Sequence, residues 1–199
     1  VKSCYENEPI PFVAGNCNSS RAHMITPRYP SLYQVNIRVW LTELSRKFNR
    51  PVLLDDIPDA ELDRIAEIGF DWVWLLSVWQ TGLLAQKISR ANPEWRKDFQ
   101  ATLPDLGDED IAGSGFAISD YTVHENLGGA PALARLRERL CQRGIKLLLD
   151  FVPNHMAPDH PWLNEHPDYF VHGTEADLAR APQNFAGCKT KADRWCSPM

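Results

Sequence analysis

The densest group of side chains that could take part in chemistry is the run DFVPNH at residues 150–155. It places a carboxylate, an amide and an imidazole directly after the apolar residues 145–149. A buried charge without a partner costs several kcal/mol, so we expect Asp150 to pair with an arginine or a metal ion. The spacing alone is not specific, because a capping aspartate followed by a surface histidine gives the same pattern.

Three apolar segments predict the strands that position this run. Residues 32–40 alternate large apolar and polar side chains, which is typical of a β-strand. Residues 70–76 and 145–152 are apolar at nearly every position. Such runs are typical of strands buried on both faces, as in a parallel sheet.

Two amphipathic segments predict helices between these strands. Residues 54–69 place Leu62, Ile65 and Ile68 on one face and end at a glycine, and residues 130–143 show a similar apolar face. The resulting order, strand–helix–strand–helix–strand, indicates right-handed βαβ units and a parallel sheet. In such sheets the functional residues follow the carboxyl ends of the strands.

The polar residues that follow the predicted strands are therefore the candidates for a site. They are Trp40 and Thr42 after the first strand, Ser77, Trp79 and Gln80 after the second, and Asp150, Asn154 and His155 after the third. A long polar excursion over residues 79–129, with one short helix at 93–100, separates the second strand from the next helix. Loops this long in a compact fold are usually functional.

Composition limits the possible classes of protein. The 199 residues carry 21 basic and 26 acidic side chains, a net charge of −5, which argues against a nucleic-acid surface. No apolar run approaches the ~20 residues of a membrane span, and the first twenty residues carry no secretory signal. We expect no nucleic-acid or membrane partner. Of five cysteines, only Cys141 lies in the central part of the chain, which indicates a reducing, cytoplasmic location.

Longer segments resemble the α-amylase family, glycoside hydrolase family 13. The segments are GFAISDYTVHENLGG at 115–129, the helix after it, RGIKLLLDFVPNH at 143–155, and DHPW at 159–162. The strand at 69–75 also fits, and the resemblance extends over about 32–185. It implies a (β/α)8 barrel in which DFVPNH ends the third strand, and a retaining enzyme that acts on an α-glucan or α-glucoside.

The resemblance also implies roles for individual residues. His155 would bind a hydroxyl of the sugar at the −1 subsite, and Asp150 would orient an arginine from a later part of the chain. Phe116 falls where many members have a sugar-stacking tyrosine, and Tyr121 belongs to the same segment lining the sugar site. Asn154 corresponds to a calcium ligand in many members, so calcium is a possible cofactor. Other members lack that ion.

The same comparison leaves several neighbouring residues open. Ala117 falls where some exo-acting members have a sugar-binding aspartate, which weakens an assignment to non-reducing-end recognition. Trp79 and Gln80 could face the cleft or pack in the interior. His124 and Asp120 could contact a ligand or serve only the loop.

The chain lacks the catalytic carboxyl groups that the resemblance requires. Retaining glycosidases need a nucleophile and an acid/base, which this family takes from the fourth and fifth strands. Residues 156–199 contain no Arg-x-Asp block after an apolar strand. We therefore expect about the first three β/α units of an incomplete TIM barrel over 24–185, an irregular extension over 1–23, and an atypical tail over 186–199. A frameshift or premature end of the gene would explain the tail, and the chain by itself would be inactive.

Two alternatives stay open at this point. The chain could be a non-catalytic carbohydrate-binding remnant that keeps part of the sugar cleft. It could also be a different α/β enzyme or a metal-binding module with Asp150, His155 and His160 as ligands, although that spacing in a Pro-rich loop is weak for a metal.

Overall fold

A computed structural model describes residues 29–182 and the backbone of a strand at 195–197. The predicted extension 1–23, and the tail 186–199 apart from that strand, lie outside the described residues. The strands are β1 (Leu32–Asn36), β2 (Trp72–Leu76), β3 (Trp79–Thr81), β4 (Ile118–Val123), β5 (Lys146–Leu149), β6 (Val171–Gly173) and β7 (Trp195–Ser197). The helices are α1 (Ile37–Phe48), α2 (Asp59–Ile68), α3 (Leu83–Ala91), α4 (Pro93–Thr102), α5 (Gly129–Gln142), α6 (Trp162–Glu165) and α7 (Glu175–Arg180).

The central layer is a parallel sheet in the order β1–β2–β5, as the alternation of strands and helices predicts. Leu32 lies opposite Trp72 in the register, and Trp72 lies opposite Lys146. The middle strand buries Val73 and Leu75 almost completely. Because the three strands run in the same direction, their carboxyl ends share one edge of the sheet.

The first strand is shorter than the predicted 32–40, and helix α1 begins directly after it at Ile37. The Asn36 side chain accepts hydrogen bonds from the backbone nitrogens of Arg38 and Val39 and so caps the helix. Ile37 and Leu41 are buried one turn apart. The helical period is hidden in the sequence because the strand alternation continues by chance into the first helical turn. Trp40 and Thr42 consequently lie on α1 and not at a strand end.

Helices α2 and α5 cover the sheet on the same side. Leu62 and Ile65 of α2, with Leu136 and Leu140 of α5, are buried in the hydrophobic core. Ile68 was predicted on the same face of α2 but is 62% exposed, because it lies in the last turn beyond the contact with the sheet.

Arginines on α5 and at its carboxyl end form ion pairs with carboxylates of α2 and of the segment that precedes α2. The ion pairs run from Arg135 to Asp55, from Arg139 to Asp59, and from Arg143 to Asp59 and Asp63. The pKa of the Asp59 carboxyl is held below its ordinary value chiefly by the hydrogen bond from Arg139.

The excursion between β2 and α5 is more ordered than the sequence indicated. Strands β3 and β4 form an antiparallel pair that closes its two ends, and helices α3 and α4 lie between them. Helix α4 contains the predicted segment 93–100, with Asn92 as its cap and Pro93 in the first turn. The antiparallel pair was missed because β3 has three residues and its register is irregular.

Two further observations bear on location. Cys141 forms a disulfide bond. Its isolated position in the sequence therefore does not indicate a free thiol, and the argument for a reducing compartment loses its basis. Among the described residues, we find no helix with both the length and the apolar character needed to cross a membrane.

Candidate functional site

Asp150 is the buried polar centre of the site, directly after β5, and is 5% exposed. Its Oδ1 accepts a hydrogen bond from the Trp74 indole nitrogen at 2.8 Å, and its Oδ2 accepts one from the Ser77 backbone nitrogen at 2.8 Å. The partner we expected was an arginine or a metal ion. Among the described residues the carboxylate is instead bound by neutral donors from β2 and its end, one on each oxygen.

Ser77 is held on both sides of its backbone. Its nitrogen donates to Asp150, and its carbonyl oxygen accepts from Arg38 Nε at 3.0 Å. Its φ angle of 68° lies in the left-handed region, which costs about 1–2 kcal/mol for a residue with a side chain. The two charged partners thus fix an unfavourable backbone turn at the carboxyl end of β2.

Arg38 lies at the start of α1 and reaches across to β3. Besides Ser77, it donates to the carbonyl oxygen of Trp79 at 3.0 Å and to the Thr81 hydroxyl at 3.3 Å. Burial lowers the pKa of its guanidinium. Arg38 therefore ties α1, which follows the first strand, to the segment that follows the second.

Tyr121, on β4, is bound to the loop after β5. Its hydroxyl accepts a hydrogen bond from the Val152 nitrogen at 2.8 Å and lies 3.1 Å from the Val152 oxygen, to which it donates. Its ring packs edge-on against Trp79 at 5.4 Å and tilted against Phe151 at 6.1 Å. Trp79 in turn donates from its indole nitrogen to the Asp150 carbonyl oxygen at 2.8 Å.

His155 and Asn154 lie further along this loop. Asn154 is exposed and His155 is half-buried. The Asn154 amide nitrogen lies 3.4 Å from His155 Nδ1. Because an amide nitrogen only donates, this contact favours the imidazole tautomer with its proton on Nε2. A donor nitrogen is then left for a ligand oxygen.

Phe116 joins this cluster through its neighbour. Its ring is 40% exposed, and a Cβ placed on Gly115 would lie 1.8 Å from Ser77 Oγ. Only a glycine at 115 allows the loop to pack this closely on Ser77. Ala117 is buried, which is compatible with its lack of a polar group.

Asp159 explains part of the DHPW segment. Its Oδ2 accepts from the Leu84 nitrogen at 2.9 Å and so caps helix α3. A Cβ on Gly82 would lie 1.9 Å from Asp159 Oδ1, so the glycine leaves room for this cap. The segment therefore fastens the loop after β5 to the excursion after β2.

Two histidines near the site serve as hydrogen-bond acceptors. His124 Nδ1 accepts from the Asn126 nitrogen at 3.2 Å, and His160 Nδ1 accepts from the Trp162 nitrogen at 3.1 Å. Burial lowers the pKa of His124, and the positive charge of Arg38 lowers it further. Burial also lowers the pKa of His160, against the opposing effect of nearby carboxylates.

The thermal unfolding midpoint is expected to fall as the pH is lowered from about 7.5 to about 5. The folded state keeps His124 and His160 neutral below the ordinary pKa of 6.5, whereas the unfolded chain binds protons there. Stability is therefore present above pH 6.5 and lost below it. Calorimetry of the parent chain and of the double variant His124→Asn, His160→Asn tests this. The asparagine oxygen can replace Nδ1 as acceptor without titrating, so the decline should be smaller. An equal decline in both would contradict the assignment.

The described residues do not fit a metal centre. Within residues 29–182 no group of three or more histidine, cysteine, aspartate or glutamate side chains could hold an ion. Asp150, His155 and His160 do not form such a cluster, and Asp150 has both oxygens engaged. Asn154 supplies one amide oxygen, which does not by itself define a calcium site, so the calcium ligand that the resemblance implies stays a prediction. We therefore assign no step to a metal.

A half-open cavity lies away from these residues. It has a volume of about 840 Å³ and lies between α1 and the excursion. Arg38 and His124 line it, whereas Asp150, Tyr121 and His155 do not. The candidate site lies instead at the carboxyl ends of the parallel strands, on an open surface. A site for an extended sugar chain need not be enclosed.

Some residues of the site could not be assigned from the sequence. Arg38 stands in what reads as a strand, and Trp74 reads as a core residue of β2. The missed signal was the cap residue Asn36, because its recognition would have moved Arg38 to a helix next to the site. The indole of Trp74 gave no such signal, because its partner lies 76 residues away.

Most of the chain matches a family of known proteins. Residues 58–192 match the family model described as "Alpha amylase, catalytic domain". An alpha-1,4-glucan:maltose-1-phosphate maltosyltransferase of Salinibacter ruber is 32% identical over 144 residues, 64% of this chain and 20% of that protein. An oligo-1,6-glucosidase of Parageobacillus thermoglucosidasius is 27% identical over 121 residues, 56% of this chain and 16% of that protein.

A solved structure shares the fold. The crystal structure of an alpha-amylase from Lactobacillus plantarum aligns with a TM-score of 0.51 and 22% identity, over 84% of this chain and 31% of that one. At this identity the likeness shows the fold alone. The chain spans about a fifth or less of the length of the curated relatives described above.

Proposed function

Because the chain belongs to the α-amylase family, whose members are glycoside hydrolases and related transferases, we propose that it is part of an enzyme acting on α-glucosidic bonds. The reaction would be a retaining double displacement. The observation that carries the proposal is the match over 58–192, together with the joining of the loops after β2 and β5 at one edge of the sheet.

The open sheet supports a place within a larger barrel. Within residues 29–182, β1 and β5 each have a single neighbour, so both outer edges can pair with further strands. The three parallel strands would be the first three of an eight-stranded barrel. Exposed strand edges of this kind favour pairing with another chain or segment.

His155 would bind a sugar hydroxyl from its Nε2 proton, and the exposed ring of Phe116 would stack on the sugar. An aromatic ring face suits the apolar face of a sugar. Asp150 would act on this arrangement indirectly, because it is buried and its oxygens accept hydrogen bonds from Trp74 and Ser77. Its role would be to hold the end of β2 against the loop after β5.

We assign neither catalytic carboxyl group to this chain. A nucleophile and an acid/base must flank the scissile bond at a separation of about 5 Å in a retaining enzyme. Asp150 is buried and accepts hydrogen bonds from two donors. Asp120 belongs to the antiparallel pair of β3 and β4 and lies opposite Gln80. The 199-residue chain by itself is therefore expected to bind sugar without cleaving it.

A titration of the chain with maltotriose, followed by NMR, tests the proposal. We expect shifts at His155 and Phe116, about tenfold weaker binding for His155→Ala, and no release of reducing sugar. The matched control is His166→Ala. The His166 ring stacks on Tyr169, with 4.8 Å between the ring centroids, and not on His155 or Phe116. An unchanged spectrum would contradict the sugar site, and turnover by the chain would contradict the missing carboxyl groups.

A further inference from the structure

We propose that Tyr121 is a positioning residue for His155. The inference rests on the proposed function, because it assigns a role in holding the sugar-binding histidine. The structural part of this proposal is that Tyr121 clamps the loop after β5, and it depends only on the contacts of Tyr121 with that loop. We call residues 150–157 the β5 loop.

The hydroxyl of Tyr121 makes two hydrogen bonds to the β5 loop. It accepts from the Val152 nitrogen at 2.8 Å and donates to the oxygen of the same residue at 3.1 Å. A phenol has one proton to donate, and that proton is directed to the Val152 oxygen. A sugar hydroxyl could therefore receive the Tyr121 proton only by displacing the Val152 oxygen.

The ring of Tyr121 is held as firmly as its hydroxyl. It lies between Trp79 and Phe151, at ring distances of 5.4 and 6.1 Å. Trp79 is itself bonded to the Asp150 carbonyl oxygen at the base of the β5 loop. The tyrosine therefore joins β4, the start of β3 and the β5 loop at one point.

A second contact from the same strand fixes the other end of the loop. The Ala157 nitrogen donates to the Ile118 carbonyl oxygen at 2.8 Å. Ile118 and Tyr121 both belong to β4, so one short strand holds the β5 loop at Val152 and at Ala157. Asn154 and His155 lie between these two anchors, in a segment without regular structure.

The two anchors restrict the position of His155, and one of them depends on Tyr121. A loop held at two points five residues apart has few backbone conformations, and the imidazole keeps one position relative to the sheet edge. Release of the Val152 anchor leaves the loop fixed only at its ends, Asp150 and Ala157. Preordering of a binding group in this way favours affinity because less freedom is lost on binding.

Hydrogen exchange of the backbone amides tests the clamp in the chain itself. In Tyr121→Phe, which keeps the ring, we expect the Val152 amide to exchange about fivefold to tenfold faster, the factor that corresponds to one hydrogen bond. The Ala157 amide should be unchanged. The control is Tyr33→Phe, because the Tyr33 ring packs on Phe70, which precedes β2 at the opposite end of the parallel strands. Unchanged exchange at Val152 would overturn the clamp.

Maltotriose titration then tests the positioning role. We expect Tyr121→Phe to weaken binding about threefold to tenfold, with the smaller shift changes centred on His155, and Tyr33→Phe to leave the affinity unchanged. Faster exchange at Val152 with unchanged affinity would overturn positioning and leave a purely structural clamp. Failure of the parent chain to bind maltotriose would contradict the proposed function, while the exchange experiment would still decide the clamp.

Discussion

Replacement of Asp150 by alanine is expected to lower the free energy of unfolding by about 3 kcal/mol. The change leaves the buried Ser77 amide and the Trp74 indole without an acceptor, after both donated to the carboxylate at 2.8 Å. An unpaired buried donor costs about 1–3 kcal/mol. The alanine variant no longer buries a charge, and this gain offsets part of the cost of the two unpaired donors. Urea denaturation followed by tryptophan fluorescence measures the loss.

Two further variants make this prediction specific. Asp150→Asn should lose an intermediate amount, because its oxygen satisfies one donor while its amide group faces the other. Asp168→Ala removes an exposed carboxylate on a short turn and should change stability by less than about 0.5 kcal/mol. A loss at Asp150 no greater than that at Asp168 would show that the two hydrogen bonds do not hold the site together.

Replacement of Gly115 by alanine is expected to lower the free energy of unfolding by about 2 kcal/mol. The added Cβ would lie 1.8 Å from Ser77 Oγ and 3.3 Å from its Cα. Ser77 cannot simply move aside, because its nitrogen and oxygen are bound to Asp150 and Arg38. Thermal unfolding of the variant measures the effect, and the loop that carries Phe116 should also become less protected from hydrogen exchange.

A double-mutant cycle identifies the cause. Ser77→Gly removes the atom that clashes and relieves a positive φ of 68°, so Gly115→Ala should cost about 1 kcal/mol less in that background. Gly107→Ala is the matched control, since its Cβ would meet only the flexible end of Glu109 and should have little effect. Additive losses at Ser77 and Gly115 would contradict the proposed contact.

The sequence by itself determined the family, the parallel order of the three main strands and the segment that carries the site. These features are local or periodic, since burial on both faces requires apolar runs and helix faces require apolar spacing. The DFVPNH run could be placed at a strand end for the same reason, because β5 ends at Leu149 directly before it.

The tertiary structure decided the partners and therefore the roles. Asp150 binds donors 73 and 76 residues away, Tyr121 binds a loop 31 residues away, and Arg38 reaches a carbonyl oxygen 39 residues away. A side chain's donors and acceptors state what it can bind but not which group will be adjacent. Only the packing of β4 against the loop after β5 brings the Tyr121 hydroxyl to the backbone of Val152, three residues before His155.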